Sequence, residues 1–123
     1  MTADLATPGF ATTVEALRGR SWKLGAGQPQ QVIDQFPDAD FKLVVDDRAD
    51  VHINSRDGRL YLGWFPHGRP GGIDEDWVTD EGWVIAMMGT SDVPGYRISF
   101  GTETPAEIIA VAVDRILATS RLL

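Results

Sequence analysis

A chain of 123 residues with 43% hydrophobic and 24% charged side chains is sized and composed for one globular domain with its own core. It has no cysteine, which excludes a disulfide framework, a thiolate nucleophile and a cysteine-ligated zinc. Eighteen acidic against eleven basic residues leave a net charge of −7, which disfavours non-specific binding to nucleic acid or anionic membrane.

The opening stretch "MTADLATPGF" has neither a basic start nor an apolar run, so no signal peptide is expected. Residues 1–11 read as a flexible tail, and the single α+β domain is expected over 12–123. Thr12 with Glu15 forms a capping box for a short helix that Gly19 would stop. "SWKLG" reads as a first short strand. Pro29 can open a second short helix carrying Val32, Ile33 and Phe36, which Pro37 would end; a loop is the alternative.

The middle of the chain is strand-rich. "FKLVV" (41–45) is a strand, "DDRAD" a polar turn, and "VHINS" (51–55) an alternating strand. Asp57-Gly58 is a hairpin signal, and "RLYLGWF" is the returning strand. A long loop over 66–82 is rich in acidic residues. "WVIAMMG" and "YRISFG" are further strands, joined by "TSDVP".

A terminal helix follows, with Thr104 as cap, Pro105 at its first position and Glu107 completing a T-x-x-E box. Ile109, Ala112, Val113, Ile116 and Leu117 form the stripe expected to cover the sheet. Ile108, Val111 and Leu122 form a second apolar patch to the side, read either as plain exposed surface or as a self-association contact. Hairpin-linked strands between helices give an α+β fold: an antiparallel sheet of four to five strands, a C-terminal helix across one face and a short N-terminal helix.

"INSRDGRLYLGWFP", "GWVIAM" and "YRISFGTETPAEIIAVAVDRIL" together resemble the SPDY domain of unknown function found in Streptomyces-type actinobacterial proteins. The resemblance runs over roughly residues 13 to 118. It departs at Arg56, where the family usually has proline, and in a longer acidic stretch before Trp83. It implies an α+β unit of actinobacterial origin and no activity. By analogy of fold alone, the layout is similar to single-stranded-DNA-binding folds of the Whirly type.

Candidate chemistry is sparse. His52 is mid-strand and His67 lies in the long loop; neither has the partners in sequence that a catalytic base needs. His67 with Asp74, Asp76 and Asp80 could in principle hold a cation, but the spacing matches no standard metal loop. "GWFPHGRPGG" lacks the phosphate-cradling arrangement of a P-loop. The expectation is therefore a protein that is not an enzyme and carries no metal or cofactor.

Alternation through the hairpin puts Val51, Ile53, Leu60, Leu62 and Trp64 on the core face, with Tyr96, Ile98 and Phe100 beside them under the terminal helix. The opposite face then gathers His52, Asn54, Arg59, Tyr61, Arg97 and Ser99. Arginines with an aromatic ring suit a protein interface, and they also suit a platform for single-stranded nucleic acid. The net charge favours a protein partner or a second copy (a homodimer). No apolar run approaches the ~20 residues of a spanning helix, so no membrane is expected and the cytoplasm is the default.

Overall fold

In a computed structural model the described residues are 7–22, 24–72 and 76–120. The elements are α1 (Thr7–Arg18), α2 (Gln30–Ile33), β1 (Phe41–Val45), β2 (Val51–Ser55), β3 (Leu60–Trp64), β4 (Glu81–Met87), β5 (Tyr96–Gly101) and α3 (Ala106–Ser120). The strands form one antiparallel sheet in the order β1-β2-β3-β4-β5, each paired with its chain neighbour. This is the α+β arrangement expected from the sequence.

Strand alternation builds the main core on one face. Val51, Ile53, Leu60, Leu62, Trp83 and Ile85 project toward α2, the turn after it and α3, which contribute Val32, Phe36, Ala106, Ile109, Val113 and Leu117. Trp64 and Trp83, paired in register, stack on this face with centroids 5.6 Å apart. The turn that follows α2 is tied to α3 by a bond from Gln35 Nε2 to the Ala110 carbonyl (3.0 Å). The Ala106 N–H, which the start of a helix would otherwise leave unpaired, donates to the Ala26 carbonyl at 2.8 Å.

Several local expectations change. The first helix begins at Thr7, not Thr12, because Pro8 suits a first helical turn and the residues after it tolerate helix; positions 7–11, read as tail, are helical. Thr12 therefore lies inside the helix rather than at its N-cap position. "SWKLG" joins no strand: its described residues are exposed and irregular, and Lys23 is outside the described set. Tyr96, Ile98 and Phe100 do share the core face, yet Tyr96 and Ile98 remain 41% and 38% exposed. They lie on the edge strand β5, beyond the reach of α3's buried stripe.

The β2–β3 hairpin shows what Arg56 does in place of proline. Its N–H donates to the Asp40 carbonyl (2.9 Å), a bond proline cannot make. Its guanidinium donates to the carbonyls of Asp38 and Ala39, fixing the entry to β1. Gly58 closes the turn with φ of 77°.

Candidate functional site

The register places His52, Asn54, Tyr61, Arg97 and Ser99 on the sheet face opposite α3, as alternation requires. Arg59 just precedes β3 and projects to the same side. This face is not an open platform, because its groups are largely committed to one another.

At its centre is a chain of three side chains. His52 Nε2 lies 2.8 Å from Asp46 Oδ2, and His52 Nδ1 lies 2.7 Å from the Tyr61 hydroxyl. A carboxylate can only accept, so in the neutral imidazole Nε2 donates to Asp46 and Nδ1 accepts from Tyr61. The His52 hydrogen bond, helped by backbone N–H donors at Asp50 and Arg48, holds the Asp46 carboxyl below its ordinary range. Burial, with the negative charges of Asp50 and Asp46, pushes the Tyr61 hydroxyl up. Tyr61 thus keeps its proton, the opposite of what an activated nucleophile requires.

Gly63 makes this arrangement possible. It pairs with His52 across the strands, and a Cβ there would stand 2.3 Å from the Tyr61 hydroxyl and 2.7 Å from the Phe65 ring. Phe65 and Val84, both buried on this face, form a second small core, with the Phe65 ring edge-on to His52. The segment after β3 folds back over this end of the sheet. Arg48 ties it down, donating to the buried carboxylate of Asp50 (3.0 Å) and to the Gly68 carbonyl (3.1 Å).

Arg97 and Arg69 are spent in the same way. Glu81 accepts two bonds from Arg97 (2.9 and 3.0 Å) and one from Arg69. Arg97 first, and Arg69 after it, hold the Glu81 carboxyl at about 2, well under its ordinary 4.5. Arg59 donates to the Met88 carbonyl at 3.4 Å.

Among the described residues, no three histidine or acidic side chains gather as a metal site. Asp80, weighed with His67 as a cation ligand, instead accepts from the Thr102 hydroxyl at 2.8 Å, and Asp74 lies outside the described residues. On α3, Ile108 and Val111 are exposed; Leu122 lies outside the described residues. No described helix is long and apolar enough to cross a membrane.

A further exposed surface is one that sequence reasoning passed over. β1 is an edge strand in which Leu43, Val44 and Val45 are all about half exposed, at 47%, 45% and 57%. On the α3 side, a cleft of about 420 Å³ runs between β1 and α2, lined by Ile33, Phe36, Phe41, Leu43 and Ile53 and rimmed by Asp34 and Asp38.

Comparison with known families matches residues 54–122 to SPDY, a domain of unknown function (DUF317). The chain belongs to the SPDY family. The SPDY match takes in the end of β2, then β3 to β5 and α3; β1 and α2 precede it. No curated protein and no solved structure matches the chain.

Proposed function

We propose that this SPDY domain is a non-enzymatic, cytoplasmic protein-binding module, acting without a cofactor, that docks its partner along the β1 edge. The observation that carries the reading is the exposure of Leu43, Val44 and Val45 on a strand with no outer neighbour among the described residues. Edge strands are normally blunted by charge, proline or a bulge; β1 has one charged residue, Lys42, and neither of the other devices. A flat apolar edge of this kind accepts an added strand from another chain. The actinobacterial setting implied by the sequence resemblance belongs with this reading.

Single-stranded nucleic acid is the weaker alternative. Phosphate recognition needs available cations, and Arg97 and Arg69 are both engaged by Glu81. The Tyr61 ring is held by its bond to His52. Poly-dT at low salt should not bind; salt-sensitive binding that Tyr61→Ala abolishes would reverse the ranking.

Self-association through α3 is a second reading, favoured by Val111, 71% exposed beside Ile108. It requires light scattering to give twice the 13.5 kDa monomer mass and Val111→Asp to restore the monomer.

The main reading is tested by selecting ligands for the domain from an unbiased peptide-display library. Enriched peptides should lose binding to a Leu43→Pro variant. No enrichment, or ligands indifferent to that substitution, would reject docking at β1.

A further inference from the structure

Two hydrogen bonds set the phase of the β1 backbone. Arg56 N–H donates to the Asp40 carbonyl and Asp46 N–H donates to the Asp50 carbonyl, with residues 40 and 46 opposite 56 and 50 in the extended register. In an antiparallel pair, bonded residues alternate. Lys42 and Val44 therefore turn their N–H and C=O groups inward to β2, and Leu43 and Val45 turn theirs outward; the Phe41 N–H, which also points away from β2, donates to the Pro37 carbonyl at 3.1 Å. The side chains of Phe41 and Leu43 lie on the α3 side of the sheet, where they line the cleft beside α2. A free stretch of ladder and a cleft with an apolar floor and a polar rim of Gln30, Asp34 and Asp38 thus share one border.

The charge around that border is one-sided. Asp38 and Asp40 precede β1, Asp46 and Asp47 follow it, and Asp34 rims the cleft. Against these five carboxylates stand Lys42, Arg48, which is paired with the buried Asp50, and Arg56, whose guanidinium is already donating to the carbonyls of Asp38 and Ala39. Asp46 is shared with His52, which leaves the local balance negative. A second copy gains nothing from charge here: antiparallel self-pairing centred on Leu43 would set Asp40 of each copy against Asp46 of the other, acid against acid, while Asp38 would face Arg48.

Resting on the protein-binding reading above, we infer that the occupant of the β1 edge is an extended segment of another protein with basic flanks. Its main chain extends the sheet at Leu43 and Val45. Its alternate apolar side chains enter the cleft between β1 and α2, and its flanking lysines or arginines meet the two acidic ends of the strand.

The test uses two synthetic peptides with the same alternating valine–threonine core, one flanked by lysines and the other by glutamates, in fluorescence anisotropy with the full chain. The lysine-flanked peptide should bind about ten-fold or more tighter at low salt, since each exposed ion pair contributes modestly and several act together. Raising the salt should close that gap. Reversing charge in a D38K/D47K double variant should invert the preference. Leu43→Pro should abolish binding of the lysine-flanked peptide. Where that variant fails to fold, N-methylating alternate amides of this peptide should abolish its binding to the unaltered protein. Equal affinity for both peptides would overturn the basic-flank inference while leaving docking at β1 standing. Binding of neither, or binding indifferent to N-methylation, would overturn the inference together with its placement at the edge. A dimer that Leu43→Pro dissolves would put a second copy there instead.

Discussion

The two faces of the sheet are closed by different chemistry. Beneath α2 and α3, Ile53, Leu62, Ile85, Ile109 and Val113 meet as hydrocarbon, each no more than 2% exposed. On the other side Phe65 and Val84 make only a small apolar patch, and the remaining closure is polar: Asp46–His52–Tyr61, Arg48–Asp50 and the two arginines on Glu81. Apolar burial is non-directional and indifferent to pH, so the first face should fail by loss of volume. Hydrogen-bonded and ionic closure depends on geometry and protonation, so the second should fail by misfit and by acid.

The largest effect is expected on the apolar face. Ile109→Ala should cost about 2–5 kcal/mol of unfolding free energy in urea denaturation, with a midpoint shift and an unchanged slope. A loss no larger than that of an exposed substitution would mean that α3 is not the main lid. On the polar face the corresponding lesion is an addition. Gly63→Ala inserts a methyl group where Tyr61 and Phe65 already sit, and should cost about 1–3 kcal/mol by overpacking.

Acid should separate the faces directly. The Glu81 carboxyl titrates at about 2 in the folded chain against an ordinary 4.5, so the stability it contributes is complete above 4.5. That contribution shrinks as pH falls through this window and is gone below 2. Glu81→Gln should flatten the decline between those limits, and Ile109→Ala should leave its shape unchanged. Tyr61→Phe keeps the ring and deletes the hydroxyl, for a cost of about 1 kcal/mol, within the usual range for one hydrogen bond. At the bottom of the scale, exposed Asn54→Ala should stay within about 0.5 kcal/mol.

The apolar face was legible in the sequence because its rule is a period. Val51, Ile53, Leu60 and Leu62 alternate, and Ile109, Val113 and Leu117 recur at helical spacing, so both layers and their contact could be read from one-dimensional spacing. The polar face was legible only as a set of co-facial residues. Which groups would bond to which depends on partners such as Asp46, Asp50 and Glu81, which lie in a turn or at a bulged strand start where no period operates. One signal was available: a glycine at position 63, inside an otherwise apolar strand and opposite His52, marks a close approach. The β1 edge was missed for another reason. "FKLVV" declares a strand but not its place in the sheet, and edge exposure follows from the order of strands rather than from any residue in them.

That order has a consequence for how the chain folds. Because every strand pairs with its neighbour in sequence, the sheet can grow strand by strand from the Asp57–Gly58 hairpin, through short loops except for the long β3–β4 connection, with modest entropy lost at each closure. The exception is the helical layer. The bond between Gln35 and Ala110 joins groups 75 residues apart, so α2 and α3 can meet only after almost the whole chain has been drawn together. The large entropic step in folding is therefore concentrated in the docking of two helices onto a sheet that local pairing can already have assembled.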